Sequence, residues 1–231
     1  MQSWKRIVVP LVALLTLQGA FFAEAKSKAP LEGTYTIIHA IPSGFGADIV
    51  DVYANNVLLV DNATPGSIRT VSIPKGFLEV DFYANGIIPS ETSTPLLSSE
   101  RMYLGSGADF SYVAHLTADE KPKLTTFRNM VTAAGSKRSW MTFRHIAAAP
   151  STQFRIDNRL SFLPIGNGDQ RKRSYLIKTY AVSATLPDST TVVVAPVSFA
   201  LSRDTNTVVY LWGAKSKGNL AFLKQETSTK R

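Results

Sequence analysis

Thr36-Ile37-Ile38-His39-Ala40-Ile41-Pro42 returns in altered form 106 residues on, counted from His39 to His145, as Thr142-Phe143-Arg144-His145-Ile146-Ala147-Ala148-Ala149-Pro150. Each copy is an apolar run that ends in a histidine and enters a turn of alanine and proline. β-Branched and aromatic residues suit a pleated strand, and proline lacks the N–H that would let the ladder continue. Three more pairs follow in the same order. Val52-Tyr53-Ala54-Asn55-Asn56 answers to Phe154-Arg155-Ile156-Asp157-Asn158, and Phe110-Ser111-Tyr112-Val113-Ala114 to Thr207-Val208-Val209-Tyr210-Leu211. The closing pair is Leu124-Thr125-Thr126-Phe127 and Leu220-Ala221-Phe222-Leu223. A repeat of this length marks a duplicated domain, not a solenoid. It predicts domains over 31–130 and 138–225, joined by a polar, glycine-bearing linker over 129–139.

Outward from these pairs the chain reads as strands. Leu78-Glu79-Val80-Asp81-Phe82 alternates apolar and acidic residues, the period of a strand with one buried face. Val50-Asp51-Val52-Tyr53, Val192-Val193-Val194 and Val208-Val209-Tyr210-Leu211-Trp212 are rich in strand formers. Turn formers stand between them, among them Pro65-Gly66, Asn85-Gly86, Asn167-Gly168 and Pro187-Asp188. No segment past the leader carries a helical stripe. The fold class predicted is all-β, two tandem Ig-like or transthyretin-like β-sandwiches. Trp140 and Trp212 fall in strand patterns and are expected in the core.

The N-terminus has the form of a secretory signal: Lys5 and Arg6, an apolar run from Ile7 to Phe22, then Ala23-Glu24-Ala25. Cleavage after Ala25 predicts an exported chain, extracellular or associated with the cell envelope, with no membrane span in the mature protein. The chain has no cysteine. That excludes a disulfide framework, a thiolate metal site and a thiol nucleophile.

Formal charge is +8 overall and is unevenly placed. Residues 26–136 hold 8 Lys and Arg against 11 Asp and Glu, whereas residues 137–231 hold 15 against 5. A basic half beside an acidic half implies either contact with an anionic polymer or docking of one half on the other. Lys137, Arg138, Arg171, Lys172, Arg173, Lys215 and Lys217 are the candidate polymer-binding residues, with Arg171-Lys172-Arg173 read as a loop. Because the chain is exported, wall polymers, exopolysaccharide or lipid headgroups are the expected anions, not nucleic acid. The alternative for these cations is dispersed surface charge that keeps the protein soluble.

His39 and Asp51 are the one acid–base candidate, on segments expected to be neighbouring strands; the alternative is a half-buried histidine satisfied at a strand end. Gly105-Ser106-Gly107 reads as a turn and not a nucleophile elbow. Three scattered histidines lack metal-motif spacing, so neither a metal nor a cofactor is expected.

His39-Ala40-Ile41-Pro42 followed by Val50-Asp51-Val52-Tyr53, and then Ile73-Pro74-Lys75-Gly76, resembles the bacterial family known as domain of unknown function 4397. The second half is similar in Phe143-Arg144-His145 with Ala147-Ala148-Ala149-Pro150, and in Val208-Val209-Tyr210-Leu211-Trp212-Gly213. The first copy departs by inserting Ser43 to Ala47, and the second places Gln153 where the pattern has aspartate. The resemblance implies exported, envelope-associated β-sandwiches in two tandem copies, with no established activity. The function expected is a non-enzymatic binding or structural protein of the envelope that contacts anionic polymer through its second half. An enzyme or adaptor of envelope polysaccharide modification, and a partner-binding surface protein, are the alternatives.

Overall fold

The computed structural model describes residues 32–160, 162–187 and 191–230. The expected signal peptide, residues 1–25, lies outside the described residues. So does the start of the first expected domain at residue 31.

The N-terminal half is built from β1 (Glu32–Ala40), β2 (Val50–Ala54), β3 (Val57–Ala63), β4 (Ile68–Pro74), β5 (Gly76–Leu78), β6 (Val80–Ala84), β7 (Leu97–Ser98), β8 (Met102–Leu104), β9 (Asp109–Leu116) and β10 (Pro122–Arg128). The C-terminal half contains β11 (Arg138–His145), β12 (Gln153–Ile156), β13 (Arg159–Leu160), β14 (Gln170–Leu176), β15 (Thr179–Thr185), β16 (Val192–Ala200), β17 (Thr205–Trp212) and β18 (Ala221–Ser228). Among the described residues the one helical element is a 3-10 turn, Lys215–Lys217.

The strand orders of the two halves coincide. In the first, β10-β9-β1-β4 faces β3-β2-β6-β7; in the second, β18-β17-β11-β14 faces β13-β12-β15-β16. The sheets are antiparallel except at β1 with β9 and β11 with β17, which run parallel in both halves. The short β5–β8 ladder corresponds to the start of β15 and the end of β16, interrupted in the first half at Glu79. Local details repeat as well. Gly66 N donates to the His39 carbonyl and Gly168 N to the His145 carbonyl, each at 2.7 Å. Asn55 and Asp157 open turns with nearly equal left-handed φ of 46° and 47°, a conformation that Asn and Asp tolerate better than other side chains.

Each half closes over its own apolar core. Tyr35, Ile37, Tyr112 and Leu116 meet Val50, Val52, Val80 and Phe82 in the first. Met141, Phe143, Val209 and Leu211 meet Phe154, Ile156, Val182 and Phe199 in the second. A third cluster, Ile38, Ala40, Val113 and Phe127 with Ile146, Val208 and Tyr210, joins the halves. The two sheets that contain β1 and β11 therefore pack against each other, giving four layers. β1, β9, β11 and β17 are covered on both faces, which is why they read as continuous apolar runs and not as alternation. At the far end of the contact, Trp212 lies 3.4 Å from where a side chain on Gly66 would begin. Asn167 Nδ2 donates there to the Leu116 carbonyl at 2.8 Å.

Several expectations need correction. Arg171-Lys172-Arg173 is not a loop but the middle of β14. As a sheet edge it tolerates charge, because one side of the strand has no neighbour. β1 and β2 are not neighbours; they belong to opposite sheets. The segment read as a linker is not simply a tether, since Asn129 within it is buried. The last strand runs to Ser228, past the expected boundary at 225. Trp140 and Trp212 are half-buried, Trp140 Nε1 donating to the Thr132 carbonyl at 2.9 Å.

Candidate functional site

His39 and Asp51 do not form a pair. His39 Nε2 lies 2.7 Å from the Ala47 carbonyl, so that nitrogen carries the proton. His145 repeats the arrangement with the Pro150 carbonyl at 2.9 Å. Burial holds both imidazoles below their ordinary pKa, in the neutral form. Asp51 accepts from Asn62 N at 2.8 Å and from Gly86 N at 2.7 Å, tying β2 to the bulged β3 and to the turn after β6. Backbone groups thus occupy both side chains. The cavity beside His39, about 70 Å³, is lined by Ile41, Val50, Phe82 and Leu97. Among the described residues no group of three His, Asp or Glu is placed to hold a metal ion.

The basic candidates separate into four places. Lys215 and Lys217 are the first and last residues of the 3-10 turn, with Lys217 Nζ 5.6 Å from the Phe45 ring centre in the N-terminal half. Lys137 and Arg138 stand at the start of β11, where Arg138 Nε donates to Ser174 Oγ at 3.0 Å. Lys172 faces the N-terminal half, its ammonium 3.3 Å from Met130 Sδ.

Arg171 and Arg173 point the other way. They sit opposite Phe143 and Met141 in the ladder and share their inward face. At the edge of the sandwich this face is not covered. The edge strands β14 and β13 leave an open mouth there, a groove of about 580 Å³ lined by Arg159, Leu160, Arg173, Tyr175, Lys178 and Tyr180. A second groove, about 480 Å³, continues past Leu160 and Arg173 to Phe162, Leu163 and Arg171. Arg173 lies over the Phe162 ring at 5.1 Å and Lys178 over the Tyr180 ring at 4.5 Å. The carboxylate in the mouth is Asp157, 3.2 Å from Lys178 Nζ. Hydrogen bonding from Ala181 N keeps Asp157 ionised below its usual range, with Lys178 and Arg159 adding to the effect. Neither Arg171 nor Arg173 has an ion-pair partner among the described residues.

Arg159 and Lys178 were not among the residues picked from sequence. The likeness of the two halves could have found them. Matching the ladders Ala54↔Val57 with Ile156↔Arg159, and Ile37↔Arg69 with Phe143↔Arg171, sets the halves in register. In that register Val57 becomes Arg159, Val71 becomes Arg173 and Gly76 becomes Lys178, while Arg69 and Arg171 agree. Three of the four cations of the mouth are therefore peculiar to the second copy.

Charge also meets charge between the halves. Arg144, whose counterpart is Ile38, is fully buried at 0% exposure. Its Nη2 donates to Asn129 Oδ1 at 2.8 Å, its Nε to Gln170 Oε1 at 3.0 Å and its Nη1 to the Tyr210 hydroxyl. Its guanidinium carbon stands 4.4 Å from the Phe127 ring centre. Asn129 Nδ2 donates in turn to Asp109 Oδ1 at 2.7 Å, relaying the cation of the basic half to a carboxylate of the acidic half. Gln225 completes the network. It accepts from Ser111 Oγ at 3.0 Å and from Tyr210, and donates to Thr36 Oγ1 at 2.8 Å. Burial pulls the Arg144 pKa down, and Tyr210 and Asp109 oppose that pull. A buried guanidinium persists only with such complete pairing.

The fold and site define a four-layer all-β protein with a cationic mouth in its second sandwich. The family model described as domain of unknown function DUF4397 matches residues 34–155, and the chain belongs to that family. The match covers the N-terminal sandwich and the first two strands of the next. No curated protein matches the chain. Among solved structures, the Bacillus anthracis TIE protein is 9% identical with a TM-score of 0.25, covering 78% of this chain; the chain spans 33% of that protein's length. A protein from Bacteroides uniformis ATCC 8492, provisionally named a cell adhesion protein, is 9% identical with a TM-score of 0.28, covering 86% of this chain and 99% of its own. No helix among the described residues is long and apolar enough to cross a membrane.

Proposed function

We propose that the protein is an exported, non-catalytic binding module of the cell envelope, made of two tandem copies of the family domain over 31–130 and 138–225. The mouth of the second copy is the surface that holds an anionic polymer. The observation that carries this reading is the placement of Arg159, Arg171, Arg173 and Lys178 around two adjoining grooves, three of them standing where the first copy has valine or glycine. None of the three guanidiniums forms an ion pair with a carboxylate among the described residues, so their pairing capacity is open to a ligand. Lys137, Arg138, Lys172, Lys215 and Lys217 lie outside the groove and supply long-range attraction.

The test is retention of the protein on immobilised polyphosphate and on isolated envelope polymer across a salt series. Retention should fall steeply with salt and be lost by about 1 M, where screening reaches only a few ångströms. Arg171→Gln with Arg173→Gln should weaken it about tenfold, whereas Lys215→Gln with Lys217→Gln should change it by less than about twofold. Equal losses in the two pairs would remove the groove from the account.

A further inference from the structure

The mouth is as apolar as it is cationic. Leu160, Leu163 and Leu176 are exposed to 51%, 79% and 55%, and all three line the two grooves. Ile177, 38% exposed, follows Leu176 directly. A plain polyanion has no use for these side chains. It would bridge the guanidiniums and leave the leucines wet. Contiguous exposed apolar groups rimmed by charge mark a surface that takes an apolar ligand part, since covering them releases roughly 25 cal/mol per Å².

The two kinds of group are sorted. Arg171 and Arg173 project from β14, with Arg173 over the Phe162 ring, while Leu160 and Leu163 belong to β13 and the segment after it. The grooves share Leu160 and Arg173, so a ligand lying along them touches leucine on one wall and arginine on the other. Arginine suits this setting: its methylene stem joins the apolar wall while its planar head stays at the rim and pairs with an anion. In the first copy the wall at Leu58 has no such rim, because Arg159 and Arg173 are replaced there by Val57 and Val71.

Resting on the proposed reading of the mouth as an anion site, we infer that its ligand is an anionic amphiphile: an acyl or alkyl chain bearing a phosphate or carboxylate, as at the lipid-linked end of an envelope polymer. The chain lies against Leu160 and Leu163, and the headgroup pairs with Arg171 and Arg173.

Calorimetric titration of the protein with butyl, hexyl, octyl and decyl phosphate, each below its micelle concentration, reads the apolar wall. Inorganic polyphosphate reads the cations alone. Affinity should rise about two- to fourfold per methylene buried, as the transfer of a methylene group from water implies. Leu160→Ser with Leu163→Ser should flatten the series while changing polyphosphate binding by less than about twofold. Both leucines are exposed, so this variant should fold, which an unchanged melting temperature verifies. Arg171→Gln with Arg173→Gln should weaken both probes. A flat series in the unaltered protein, or a rising one that survives the serine variant, overturns the amphiphile while polyphosphate binding stands. Loss of polyphosphate binding in the unaltered protein, or its survival without Arg171 and Arg173, overturns the anion site itself.

Discussion

The two sandwiches share strand order, parallel pairing, turn geometry and a histidine tied to a proline-bearing turn, yet they differ at two kinds of position. Where the halves meet, Ile38 of the first corresponds to the buried Arg144 of the second. Where the sandwich opens, Val57 and Val71 correspond to Arg159 and Arg173. The shared positions are those that make a sheet pair and close. The divergent ones set which half meets which and what the open edge can hold. The two halves thus share a frame and differ in their faces.

The interface is the most costly place to erase the difference. Arg144→Ile makes the second half match the first, but it leaves Asn129, Asp109 and Tyr210 buried beside an alkyl group and takes the partner from the half-buried Gln170. We expect a loss of about 3–5 kcal/mol in urea unfolding, the usual cost of removing one partner from a buried ionic network. Ile38→Val on the facing sheet should cost only about 1 kcal/mol. Were Arg144→Ile to cost no more than Ile38→Val, the network would not be what keys the two sheets.

A second difference is His115, whose counterpart in the register is Trp212. His115 is buried with Nε2 2.8 Å from Thr125 Oγ1, and desolvation lowers its pKa to about 4. An unfolded imidazole takes its proton near pH 6.5. Between these values the unfolded chain binds more protons than the folded one, so stability is full above pH 6.5 and declines as pH falls toward 4. The shift corresponds to about 3 kcal/mol. His39 and His145 are lowered in the same direction and steepen the decline. Urea midpoints at pH 7 and pH 4 should separate less in His115→Asn than in the unaltered protein; an equal separation would assign the acid sensitivity elsewhere.

Moving the cations tests the mouths directly. Val57→Arg with Val71→Arg gives the first copy the rim of the second, and should raise polyphosphate affinity by about 1 kcal/mol, roughly fivefold. No gain would mean that the groove between β13 and β14, and not charge alone, makes the site.

The frame was legible because it is written locally. Apolar runs, Asn-Asn and Asp-Asn turns and Pro-Gly breaks depend on neighbours in sequence, and the repeat made each reading count twice. What sequence hid is non-local. Arg171-Lys172-Arg173 has no apolar alternation because β14 is an edge strand whose inward side opens on a groove. The local pattern therefore read as a loop, although strand pairing sends Arg171 and Arg173 one way and Lys172 the other. His39 and Asp51 looked adjacent because β1 and β2 follow each other in the chain, but between them the chain crosses from one sheet to the other. Asn129 looked like a linker residue, since nothing beside it in sequence announces Arg144. Arg159 and Lys178 were isolated charges until the second copy was laid over the first.

The smallest expected effect separates stability from binding at a single side chain. Lys178 pairs with Asp157 at 3.2 Å, but the two side chains are 56% and 43% exposed. Solvent screens such a pair, and its Coulomb gain is largely offset by the entropy of holding two side chains in one geometry. Lys178→Ala should therefore shift stability by less than about 0.5 kcal/mol. Its ammonium nonetheless lies in the groove with Arg159 and Arg173, so polyphosphate affinity should fall about two- to threefold. Asp157→Asn should do the opposite, removing the competing carboxylate and tightening binding by a similar factor, with a small stability cost because the amide oxygen can still accept from Ala181 N. If both substitutions moved binding in the same direction, the charge of the mouth would not be what the ligand reads.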